Sequence, residues 1–138
     1  RLSLVMGLPI FGSGNAFLSR MLPVLERGEV LGVPPSEIRS PIDVVTLGSA
    51  LLDLAANDFV GYLHLAGDDS LPRDEIARRI AVRLGFPPER VEARDPDRLP
   101  GRAPRPRNVS LRNRRAKEVL DTPLCGLDEA LDRMWSRG

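Results

Sequence analysis

A glycine closes each end of the apolar string Gly61-Tyr62-Leu63-His64-Leu65-Ala66-Gly67, which reads as a buried strand that leaves through a turn. A second run, Arg1 to Met6, is rich in strand formers, ends at Gly7 and has no polar lead-in. Because a buried strand rarely opens a domain, the chain is expected to continue upstream of Arg1. Helix-periodic segments fill the interval between the two strings and the stretch after them. The expected class is therefore α/β, with Arg1 to Met6 and Tyr62 to Leu65 in a mainly parallel sheet and the other elements in a smaller lobe.

Gly12-Ser13-Gly14-Asn15 punctuates the chain, and Phe17, Met21, Leu22 and Leu25 then recur at helical spacing as far as Gly28, with Pro23 as a kink point. Glu29 to Val33 reads as a short strand and Pro34-Pro35 as a turn. Ser40 to Asp43 is an extended entry to a helix carrying Val44, Leu47, Leu51, Leu54 and Ala55. Pro72 is expected to start a helix with Asp74 and Glu75 in its first turn and Ile76, Ile80 and Leu84 on its inner face. Asp95 to Pro106 is a proline-rich, charged arm, and two short helices follow, from about Arg112 to Leu120 and from Leu127 to Trp135.

With 138 residues, 42% of them apolar, the chain can bury one ordinary core, yet only 4% are aromatic, so packing falls to Leu, Val, Ile and Ala. Its 20 basic and 19 acidic residues leave a net charge of +1, which supplies no global field for nucleic acid or an anionic membrane. The arginines from Arg98 to Arg115 carry no interleaved aromatics for base stacking, which also argues against a nucleic-acid module. No run approaches the length of a membrane span, and the lone Cys125 excludes an internal disulfide; a soluble, cytoplasmic protein is expected.

The catalytic inventory is poor, and no catalytic or metal-ligating residue is assigned. His64, the only histidine, lies between leucines in an apolar strand and reads as a core group. Asp68-Asp69-Ser70 directly precedes a helix, and Asp68-Asp69 and Asp95/Asp97 read as turn and capping residues. Cys125 has no nearby histidine and reads as a structural thiol. Gly12-Ser13-Gly14 lacks the third glycine and the downstream acid of a dinucleotide loop. Arginine is the remaining lead. Arg39 sits at an element boundary before Ser40-Pro41, where it could clamp phosphate or simply be solvated, and Arg105 belongs to the crowded arm.

Four strings in their order resemble a known family. Arg1-Leu2-Ser3-Leu4-Val5-Met6-Gly7 is similar to an Arg-Thr-Ser-aromatic-Val-Tyr-Gly strand, Ser40-Pro41-Ile42-Asp43-Val44 to a Ser-Pro-hydrophobic helix entry, and Gly61 to Gly67 to a Gly-hydrophobic-His-hydrophobic-Ala-Gly strand. Arg105-Pro106-Arg107-Asn108-Val109-Ser110-Leu111 is similar to an Arg-Pro-x-Asn-x-x-Leu string. Together they resemble the carboxy-terminal part of dTDP-4-dehydrorhamnose reductases and the wider sugar-nucleotide branch of extended short-chain dehydrogenases.

The resemblance implies that residues 1–138 are the substrate-binding carboxy-terminal part of a Rossmann-like NAD(P)-binding fold with a small mixed α/β lobe. The glycine-rich cofactor loop and the Tyr-x-x-x-Lys pair would lie upstream of Arg1, so NADP or NAD would be bound mainly elsewhere and this chain alone would be inactive. The same resemblance places Leu2, Ser3 and Leu4 near the cofactor, Asn15 and Phe17 near the nucleotide-sugar, and Arg39 and Arg105 at its diphosphate. The implied partner is a nucleotide-diphosphate sugar, and apolar strands left uncovered by a missing half could let the chain associate with itself as a homo-oligomer. Leu4 and Met6 depart from the family's aromatics, which keeps two alternatives open: a non-catalytic reductase-like binding subunit, or a related sugar-nucleotide epimerase or dehydratase.

Overall fold

A computed structural model describes residues 1–8, 17–94 and 105–135. In chain order the elements are β1 (Val5–Met6), α1 (Phe17–Glu26), β2 (Leu31–Val33), β3 (Ile38–Arg39), β4 (Ile42–Asp43), α2 (Val44–Ala55), β5 (Leu71–Pro72), α3 (Arg73–Arg83), β6 (Val91–Ala93), α4 (Arg114–Val119) and α5 (Leu127–Trp135), with a short 3-10 turn at Pro88–Arg90. They build two compact units: Arg1–Gly7, Ser40–Ser70 and Ser110–Gly138 form the first, Leu8–Arg39 and Leu71–Val109 the second.

In the first unit β1 runs parallel to β4, with Val5 opposite Ile42 and Met6 opposite Asp43. The Gly61 to Gly67 string also pairs in parallel with the first run, but through one bridge, Leu2 with Leu65. The Leu65 amide donates to the Arg1 carbonyl at 2.9 Å, and the Ser3 amide to that of Leu65 at 3.4 Å. The string starts exposed and ends buried, with Ala66 fully enclosed. Gly61 turns the backbone at φ 139°, Leu63 and Leu65 point inward at 5% and 3% exposure, and Tyr62 stands out at 78%. Leu65 joins Ile42, Leu47, Ala50, Ala116, Leu120 and Leu124 in the core of this unit.

α2 begins where the sequence places it, because the buried Asp43 caps it, its Oδ1 accepting from the Thr46 amide at 2.8 Å. Its buried face is rotated from the leucine stripe. Once Asp43 is fixed inside, the positions three, four and seven residues on, Thr46, Leu47 and Ala50, must face inward with it. Val44 and Leu51 are left half exposed. The inward Thr46 hydroxyl accepts from Arg133 Nη1 at 3.2 Å.

Asp68 and Asp69 tie distant segments together rather than capping the helix that follows them. Asp69 Oδ2 accepts from the Leu127 amide at 2.7 Å and so caps α5, whose Leu127, Ala130 and Leu131 are buried. Asp68 accepts from Asn113 Nδ2 at 2.7 Å and from Lys117 Nζ at 2.6 Å, clipping α4. The N-cap of α3 is Pro72, which offers no side-chain bond, so that helix starts at Arg73.

In the second unit β2 pairs in parallel with β6, Leu31 opposite Val91 and Val33 opposite Ala93, while β3 and β5 are antiparallel. α1 buries Leu18, Met21 and Leu25 and continues through Pro23. It ends in a Schellman motif: Gly28, at φ 72°, donates to the Leu25 carbonyl at 2.9 Å, and Glu29 to that of Val24 at 3.1 Å. α3 buries Ile76, Ala77, Ile80 and Ala81 completely. Along the helix the buried Asp74 pairs with Arg78 at 2.8 Å and the more exposed Glu75 with Arg79 at 2.9 Å.

Candidate substrate site

The second unit carries a cleft of about 320 Å³. It is lined by Phe17, Arg20 and Met21 from the first turns of α1, by β2 and Pro34, and by Arg73 and Arg105. Helical spacing brings Phe17 and Arg20 together, since residues three apart share a face. The cleft thus brings cationic forks, apolar β2 side chains and an aromatic ring to one place.

Beside it lies an ion triad built around a buried carboxylate. Glu37 is 2% exposed, and its Oε2 accepts from Arg39 Nη2 and from Arg73 Nη1, each at 3.0 Å. The Glu37 carbonyl takes the Arg73 amide at 2.9 Å, and the Arg73 guanidinium lies 4.9 Å from the centroid of the Phe17 ring. Arg39 is turned to the protein. Its Nη1 donates to the Ile38 and Arg107 carbonyls at 2.7 and 3.2 Å, and its Nη2 to that of Pro106 at 3.5 Å. The Ile38 amide adds a bond to the Arg107 carbonyl at 2.7 Å. β3 and Arg39 therefore fix the segment that presents Arg105.

Of the residues singled out in the sequence, Phe17 and Arg105 meet in the cleft, and Arg39 stands one shell behind them through Glu37. Asn15, the Gly12-Ser13-Gly14 string and most of the proline-rich arm lie outside the described residues. Leu2, Ser3 and Leu4 belong to the first unit. Leu2 is 53% exposed on an apolar groove with Leu51 and Tyr62, the Ser3 hydroxyl accepts from the Ser40 amide at 3.1 Å, and Leu4 is half-buried. Sequence reasoning missed Arg20, Glu37 and Arg73. Arg20 had a signal in its spacing from Phe17, whereas Glu37 and Arg73 are 36 residues apart and had none.

Other chemistry finds little purchase. His64 is half-buried and donates through Nδ1 to the Arg112 carbonyl at 3.2 Å. Burial pushes the Cys125 thiol above its ordinary range, opposite to what a nucleophile needs. Among the described residues no group of His, Cys, Asp and Glu is placed to hold a metal ion, and no helix is long and apolar enough to cross a membrane.

Two parallel strand pairs and one antiparallel pair, interleaved with helices, make a mixed α/β architecture, and its structural neighbours share a Rossmann-like fold. The dTDP-4-dehydrorhamnose reductase of Bacillus anthracis, solved in complex with NADP, superposes with a TM-score of 0.84 at 21% identity over 100% of this chain and 47% of its own. MoeE5, solved in complex with UDP-glucuronic acid and NAD, gives 0.70 at 23% identity over 99% of this chain and 46% of its own. The chain belongs to the RmlD substrate binding domain family, whose model matches residues 1–138. A dTDP-4-dehydrorhamnose reductase of Mycolicibacterium smegmatis is 31% identical over 121 residues, 87% of this chain. The chain spans 37% of that relative's length.

Proposed function

We propose that this chain is the substrate-binding part of an NAD(P)-dependent reductase of a nucleotide-linked keto-sugar, of the dTDP-4-dehydrorhamnose reductase kind. The observation that carries the reading is the cleft of the second unit, where Arg105 and Phe17 meet beside Arg20 and Arg73. A sugar diphosphate calls for permanently charged, planar donors, and arginine forks supply them. Phe17 and the apolar side chains of β2 suit the flat, less polar end of such a ligand.

The cofactor would supply the hydride, and this chain's residues would bind and orient the sugar nucleotide and keep water away. Leu2 and Leu4 present apolar side chains, which fit the wall of a nicotinamide site; their role is contact and exclusion of water. The buried thiol of Cys125 suits a reducing, cytoplasmic setting.

The test is calorimetric titration with dTDP-glucose, an unreactive member of the ligand class. Arg105→Ala is expected to raise the dissociation constant about ten- to a hundredfold, the loss of one charge-assisted contact, with the fold intact because the Arg105 side chain is exposed. An unchanged constant would return Arg105 to an ordinary solvated position.

A further inference from the structure

We propose that the outward face of α2 is a self-association surface on which a second copy of this chain docks, helix against helix across a two-fold axis. No residue of the cleft takes part.

α2 is apolar on both sides. It buries Thr46, Leu47 and Ala50, while Val44, Gly48, Leu51, Leu52 and Ala55 form a second stripe at the spacing of one helical face, of which all but Gly48 are exposed. A helix that is apolar all round is normally covered. Asp53 is the only charged residue between Val44 and Ala55, and its Oδ2 accepts from the Thr122 amide and hydroxyl at 2.8 and 2.9 Å, so it turns to the protein. The outward stripe therefore carries no charge, and two copies meet without repulsion.

Shape selects a second copy as the occupant. A Cβ added at Gly48 would meet no atom within 4 Å, so the glycine leaves a hollow between Val44 and Leu52, its neighbours one turn away on either side. Antiparallel helices crossing at the level of Ala50 set Leu52 of each copy against Gly48 of the other and Val44 close to Ala55, so each large side chain meets a small one. Leu51 also lines the apolar groove of Leu2 and Tyr62, which extends the face. Leu2, Val44, Leu51, Leu52 and Tyr62 are 53%, 50%, 46%, 75% and 78% exposed. Together they show on the order of 600 Å² to solvent, large for a monomer patch. Two such faces would bury about 1,200 Å², the lower range of a specific interface and enough for a reversible dimer.

Sedimentation velocity over a roughly hundredfold range of chain concentration reads the equilibrium, with thermal melts to check folding. Wild type should pass from monomer to a closed dimer. Leu52→Glu changes an exposed side chain and should raise the dimer dissociation constant at least about tenfold with the melt unchanged. Gly48→Leu fills the hollow and should weaken the dimer to a similar degree. Combining it with Leu52→Ala exchanges the large and small positions and should recover at least about threefold of the loss. Should Gly48→Leu fail to fold, Leu52→Glu decides alone. A wild type that stays monomeric, an open-ended series of larger species, a dimer untouched by Leu52→Glu, or a folded double variant no tighter than Gly48→Leu overturns the proposal.

Discussion

Gly67→Ala is expected to abolish cooperative folding or to cost about 3 kcal/mol or more, the upper end of what overpacking does. A Cβ at this position would sit 2.0 Å from the Pro41 carbonyl oxygen and 2.9 Å from that of Cys125. Both obstacles are backbone, so no side chain can swing aside. The Cys125 carbonyl is further pinned by the Asp68 amide at 2.9 Å. The backbone of Gly67 is not left-handed, so the effect is one of space, not of strain. Because domains of this size are stable by only about 5–15 kcal/mol, urea denaturation would show the transition shifted far down or lost. A loss under about 1 kcal/mol would mean that the three segments meeting here are not packed as described.

Glu37→Ala should be nearly as damaging, at about 3–5 kcal/mol, because it removes the buried carboxylate that pairs with both Arg39 and Arg73. The triad holds β3, the start of α3 and the segment bearing Arg105, so the loss should also loosen that segment. Glu37→Gln keeps the shape and an acceptor oxygen and should cost less, about 1–3 kcal/mol, in the range of a weakened buried polar contact. Equal stability of wild type and Glu37→Ala in urea would show that the two arginines are solvated and the triad is only a surface contact.

Periodicity carried much of the fold. The span of α5 could be read residue for residue, and the inner face of α3 was visible because Ile76 and Ile80 are one helical turn apart. The parallel pairing of the two apolar strings was likewise legible. Phase was not: the leucines of α2 suggested one stripe, but the buried cap Asp43 selected another, and no local rule weighs a cap against a stripe. β6 escaped notice because Val91-Glu92-Ala93 has one buried residue, and its partner β2 supplies the pairing. The capping function of Asp69 was foreseen, its target was not, since Leu127 lies 58 residues on.

The site was legible in its exposed members and opaque in what holds them. Phe17 and Arg105 came from the family resemblance, and the structure puts both on one cleft. Arg39 stood out as a boundary arginine, yet whether such a fork faces a ligand or a carbonyl depends on chain that arrives 67 and 68 residues later. Glu37 carries no signal in the sequence, and its burial against Arg39 and Arg73 emerges only in the fold.

The central claim is that this chain holds a nucleotide-linked sugar and leaves the dinucleotide to another part of the protein. Parallel calorimetric titrations of the chain with dTDP-glucose and with NADPH test it most directly. The expected result is a saturable isotherm for dTDP-glucose, weakened by salt because the contacts are ionic, and an affinity for NADPH at least about tenfold lower. Tight NADPH binding with no response to dTDP-glucose would contradict it.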